Sequence, residues 1–319
     1  MPMRSRVLAS VLHLVSLQFA AVAAMSVVPA GGNIICLGNG PVQALCAKLA
    51  TLRGFKTTIA GLPDDLKIAK QLINDETVDC RYLPLVGDGA DSDTINQCIA
   101  EMDGLIVAFD GEQGLPEGPM NVFMPDAGSK LKHVSLMSRY LNGKGMGFTV
   151  NAAKIAANAE IWAGSKAAKE MYQGVEQRVT RRAAELGASY TIIRAGTLKG
   201  GGQGDTTAED GGGEKTFLDP YFYTLGQQDL VNWRLLFDCS SLGVELSRGD
   251  TLPGPGFTAA LTATGLGDGD SHRGAVATAL VEALAAPAAA DADFSVKTIE
   301  GREFPKGEAT WAKLFEGAR

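Results

Sequence analysis

Gly38-Asn39-Gly40 directly follows an apolar run, residues 33–37, and opens an amphipathic one. Two glycines so placed let the backbone bend tightly and approach a pyrophosphate, while the first turn of the following helix presents N–H groups to that charge. Pro41 and Val42 complete the turn, and Gln43 stands where a third glycine would allow close helix–strand packing. Further along, Gly87-Asp88 and the stretch from Ala108 and Phe109 to Gly111 each follow an apolar run, at the places where an adenine and its ribose would lie in such a fold. The position that normally chooses the cofactor is less decisive. An acid at the end of the second strand would bind ribose hydroxyls and an arginine would pair with a 2′-phosphate. Here Ala60 and Gly61 occupy it, so NAD and NADP remain equal candidates, with Asp64 and Lys67 as nearby residues of either sign.

Those glycines have meaning only if strands and helices hold them. Residues 33–37, 56–60, 80–86, 104–109, 132–137 and 190–194 are short apolar runs of the length of buried parallel strands. Helical patterns separate them, as in 41–54, where Val42, Leu45, Leu49 and Leu52 recur at three- and four-residue intervals and Gly54 supplies a stop. Such alternation predicts an α/β fold: a doubly wound parallel Rossmann sheet, covered on both faces, spanning residues 33–200. Residues 201–270 break the rhythm. Their first part, within the Gly-rich acidic stretch 196–216, reads as a mobile loop, and 217–268 as an irregular cap beside the carboxyl edge of the sheet. Residues 271–319 return to helix (273–287), strand (294–301) and helix (308–318), completing the domain.

These segments together resemble the atypical short-chain dehydrogenase/reductase superfamily, on the side of the NmrA-like and related plastid and mitochondrial NAD(P)-binding Rossmann proteins. The resemblance rests on "CLGNGPVQALCAKLATLRGFKTTIAG", "VGD", "HVSLMS", "SHRGAVATALVEAL" and above all "AAELGASYTIIRAGTL" (183–198), where Ala195 replaces the family's proline. It implies a nicotinamide dinucleotide, NAD or NADP, as the ligand. It also implies that Ser138, after the fifth strand, would polarise a substrate carbonyl beside a Tyr-x-x-x-Lys pair. Four-residue spacing puts such a pair on one helix face, where the ammonium lowers the phenol's pKa from about 10 toward neutrality.

Three stretches compete for that pair. Tyr172 with Glu176 suits the distance to the "YTIIR" run, yet a carboxylate moves a phenol's pKa the wrong way. Trp162 with Lys166 keeps the cation but has an indole, which cannot exchange a proton as a phenol does. Tyr140 with Lys144 has both side chains, set among Gly143, Gly145 and Gly147, which disfavour a helix. The expectation is a dinucleotide-binding protein with a degraded catalytic pair, in a redox-sensing, assembly or accessory role. The alternative is an active NAD(P)H-dependent reductase or epimerase on a small apolar substrate. Ser138 with Tyr140 and Lys144, or Tyr172 with Lys169 as a displaced cation, would then carry the chemistry.

The 319 residues carry a net charge of −7, which disfavours nucleic acid as a partner. No acid precedes Asp64, and residues 1–24, basic then apolar and ending near Ala21-Val22-Ala23, read as a secretory-type leader that is removed, leaving no permanent membrane span. Five scattered cysteines suit buried free thiols better than a disulfide framework, and three isolated histidines offer no metal site. Leader and thiols together point to an organelle, a plastid ahead of a mitochondrion, where protein partners in a complex are a further expectation.

Overall fold

Ile34 to Leu37 are all buried, so the strand they form must be covered on both faces, as a parallel strand is. A computed structural model describes residues 27–109, 117–125, 129–139, 165–196, 198–201, 218–225, 241–252, 269–301 and 303–318. In chain order the elements are β1 (Asn33–Asn39), α1 (Gly40–Leu52), β2 (Lys56–Gly61), α2 (Pro63–Ile73), β3 (Arg81–Pro84), α3 (Ser92–Glu101), β4 (Gly104–Phe109), α4 (Glu117–Phe123), β5 (His133–Arg139), α5 (Ser165–Leu186), β6 (Ser189–Ala195), β7 (Leu198–Lys199), β8 (Gly243–Arg248), β9 (Ser271–His272), α6 (Arg273–Ala283), β10 (Ala292–Ile299) and α7 (Glu308–Gly317). Eight strands form one sheet in the order β3-β2-β1-β4-β5-β6-β10-β8, parallel except for β8, while β7 and β9 pair separately. This is the doubly wound Rossmann order on β3 to β6, extended by two strands.

Alternate residues of β1 face opposite layers. Ile34 and Cys36 pack with α1, α2, α6 and α7; Ile35 and Leu37 pack with α3, α4 and α5. α1 ends where expected: Arg53 caps it and Gly54, at φ +86°, turns the chain into β2. Leu52, assigned to its apolar stripe, is exposed instead. α6 stops at Ala283, short of the predicted 287, and a 3-10 turn fills Pro287–Ala289.

Two described pieces of the stretch read as an irregular cap lie elsewhere. Gly243–Arg248 is a regular strand, β8, antiparallel to β10 at the sheet edge. The 3-10 turn Pro220–Thr224 rests on the C-terminal end of α2: Asp219 N donates to Leu72 O at 2.8 Å and Asn74 Nδ2 to Asp219 Oδ2 at 2.8 Å. Because α2 runs back from the tip of β2, that end lies toward the amino edge of the sheet rather than the carboxyl edge. Leu218 and Phe222 are buried against the α1/α6 layer. Cys36, Cys46, Cys80 and Cys98 are buried free thiols. Among the described residues, no helix is long and apolar enough to cross a membrane, and no group of three acidic, His or Cys side chains is placed to hold a metal. Residues 1–24, Tyr140, Lys144, Trp162, Gly111 and Cys239 lie outside the described residues.

Candidate functional site

The sheet order reverses between β1, whose crossover leads to β2 on one side, and β4 on the other, which opens a crevice at their carboxyl ends. Gly38 pairs with Ala108 and Asn39 with Phe109 across it. Gly38 has φ +152°, and a Cβ there would sit 1.7 Å from Ala108 O. Glycine is therefore compulsory on backbone grounds alone. Gly40, at φ +80°, then starts α1. The helix begins without an acidic residue in its first turn and without a side-chain cap; Asn39 Oδ1 is buried with no hydrogen-bond partner. Pro41 has no N–H, so it contributes only its fixed φ to this turn. The bend thus has two features a diphosphate needs, close backbone access and a positive helix end, and the first turn of α1 itself carries no acid.

Gln43 explains how the chain manages without a third glycine. Its side chain is fully buried, and Nε2 donates to Cys36 O at 3.0 Å and Ala60 O at 2.9 Å, tying the middle of β1 to the end of β2. Oε1 of the same amide has no partner. The tip of β2 is equally spare: Gly61 is buried 3.3 Å, by an added Cβ, from Gly38 O, and α2 starts at Pro63 behind an uncapping Leu62. Leu85 N donates to Gly61 O at 3.1 Å, and Gly87 lies beside the Pro63 ring, which brings exposed Asp88 to the same edge. Gly38, Asn39, Gly40, Pro41, Val42, Ala108 and Phe109 meet at the β1/β4 crevice; Asp88 stands at the neighbouring β3 turn.

On the other side of the crevice, Ser138 is the penultimate residue of β5, 1% exposed, with no hydrogen-bond partner for Oγ. Ser135, three residues earlier and so on the opposite face of β5, is buried and unpartnered as well. Tyr172 is buried on α5, one helical turn before Glu176. Glu176 is engaged away from the phenol. Its two oxygens accept from Arg194 Nε at 3.0 Å and Nη2 at 2.9 Å, a bidentate pair, and Arg194 Nη1 is also paired with Asp293 of β10. Burial works against the Arg194 charge, but Glu176 and then Asp293 outweigh it and hold the guanidinium more firmly protonated than usual. The carboxylate at the fourth residue after Tyr172 is thus the counter-ion of a strand arginine. The charged residue inside "YTIIR" was the sequence signal for this pair. Lys166 and Lys169 fall on the first turns of α5, with side chains outside the described set.

No family model matches the chain, and no curated protein does either. Solved structures similar in fold include the NADPH complex of Gre2 from Candida albicans (12% identity, TM-score 0.47, covering 83% of this chain and 78% of that one). Yeast methylglyoxal/isovaleraldehyde reductase Gre2 complexed with NADPH gives 13%, 0.45, 83% and 75%. A short-chain dehydrogenase/reductase from Serratia marcescens gives 13%, 0.39, 86% and 98%. At such identities the likeness concerns the fold, which the strand order establishes independently.

Proposed function

We propose that this protein binds a nicotinamide dinucleotide across the carboxyl edge of its sheet and, with its Tyr-x-x-x-Lys site degraded, serves a redox-sensing, assembly or accessory role. The pyrophosphate would lie on Gly38 to Val42 and the adenosine toward β2 and β3. One observation carries the reading. At the β1/β4 reversal, two glycines at positive φ, the first with no room for a Cβ, lead into a helix N-terminus with neither an acid in its first turn nor a side-chain cap. When bound, the cofactor would supply hydride chemistry; what this chain adds near it is limited. Tyr172 has no ammonium four residues on, and the carboxylate that stands there is spent on Arg194. The protein would mature by loss of residues 1–24 and act in an organelle, a plastid first, alongside protein partners; its processed N-terminus after import tests that part.

A second reading, an active reductase or epimerase, draws support from Ser138. A buried hydroxyl without a partner is costly, about 1–3 kcal/mol, and at the end of β5 it would be well placed to meet a carbonyl. In that case Tyr140 and Lys144 would move the proton.

Three experiments separate these readings from each other and from a purely structural role. Mass spectrometry of the natively purified protein should find a retained nicotinamide dinucleotide. Added ligand at about 100 times its Kd should stabilise the fold by about 2.7 kcal/mol. An empty protein with no such shift contradicts binding. Turnover of carbonyl substrates that Lys144→Met abolishes would establish the second reading.

A further inference from the structure

Resting on that reading of the crevice, we infer that the site selects NAD(H) over NADP(H), with Asp65 as the specificity-determining residue that accepts hydrogen bonds from the hydroxyls of the adenosine ribose. Asp65 lies in the first turn of α2, and its Cβ is 3.8 Å from where a Gly61 side chain would begin. Gly61 leaves the end of β2 without an acid, and Asp65, four residues on, packs beside it. Asp65 is half-buried and has no hydrogen-bond or ionic partner among the described residues. Burial, with Asp64 adding to it, pushes its carboxyl above the usual range, as expected of a carboxylate waiting for donors. A second polar group with unmet demand, Gln43, bonds to Ala60, the residue before Gly61. The fully buried Gln43 amide bridges the middle of β1 and the end of β2, its Nε2 saturated by Cys36 O and Ala60 O and its Oε1 without a partner.

A 2′-phosphate would meet the opposite conditions. Around the β2 and β3 tips stand Asp64, Asp65, Asp88, Asp91 and Asp93. The nearby cation, Lys67, is exposed and already paired with Asp64 at 2.9 Å, and Lys70 belongs to the last turn of α2. A phosphomonoester dianion brought here adds like charge without gaining a fork of donors.

Calorimetric titration with NADH, NADPH, ADP-ribose and 2′-phospho-ADP-ribose tests this. NADH should bind more tightly than NADPH by roughly tenfold or more, the fragments should show the same order, and the gap should narrow with salt. Asp65→Asn, nearly isosteric, should weaken NADH and erase most of the preference; Asp64→Ser with Asp65→Arg should raise NADPH affinity, with unfolding curves confirming intact protein. Equal or tighter NADPH binding, or a ratio unmoved by Asp65→Asn, overturns the inference while leaving dinucleotide binding intact. Failure of all four ligands to bind overturns the underlying reading, and this inference with it.

Discussion

Gly38 tolerates no side chain because the carbonyl of Ala108 fills the space, so the bend where a diphosphate would sit is fixed by strand pairing before any ligand arrives. Gly38→Ala should therefore cost about 3–5 kcal/mol in denaturant unfolding, at the upper end for single substitutions, because backbone rather than a movable side chain must give way. Glu176 and Arg194 make the second residue-level prediction. Glu176→Ala leaves a buried guanidinium with Asp293 alone and should cost about 3 kcal/mol or more, whereas Glu176→Leu with Arg194→Met removes both charges and should recover most of that loss. If the double variant is as unstable as the sum of its parts, the pair is not coupled as described. The sequence identified Glu176 as wrong for a phenol. It could not name the partner, because Arg194 lies 18 residues away and only the packing of α5 on β6 brings it close.

The strands buried on both faces announced themselves as apolar runs; the antiparallel edge strand β8 did not. β8 buries Val244 and Leu246 on one side and exposes Glu245 on the other, a two-residue alternation too short to stand out between glycine-rich neighbours. Helix ends are similarly local. Asp91 caps α3, accepting from Asp93 N at 3.4 Å and Thr94 N at 3.0 Å, and these bonds, with the Thr94 hydroxyl first among them, hold its carboxyl below the usual aspartate range. A lowered folded value means the cap's contribution is complete at neutral pH and fades as the pH falls through that value. The difference in urea midpoint between the native protein and Asp91→Ala should shrink from neutral pH to about pH 2.5; a constant difference would show that the carboxylate's charge is irrelevant to the cap. The thiols belong to the same scale. Cys36 lies under α1 with its thiol pushed well up by burial, and Cys46, Cys80 and Cys98 are also enclosed. All four should resist alkylation in the folded protein and label fully in denaturant, as read by peptide mass mapping.

At the scale of the molecule, strand–helix alternation made the doubly wound sheet legible, and the strand order then located the crevice without help from any single motif. The proton-transfer side was far less legible. Tyr140, Lys144 and Trp162 sit in glycine-rich or weakly periodic sequence, where spacing alone does not define which side chains share a face. The net charge of −7 also acts globally, with five aspartates at the adenosine end and a helix N-terminus without first-turn acids at the pyrophosphate end, so one edge of the sheet offers two opposite environments to one ligand. Hydrogen exchange with and without NADH tests that arrangement most directly. On ligand addition, exchange should slow at Gly40, Val42 and Gln43 and around Gly61 to Asp65, with β8 and α7 unchanged. NADH binding that leaves the first turn of α1 exchanging as before, or protects a different edge of the sheet, would contradict it.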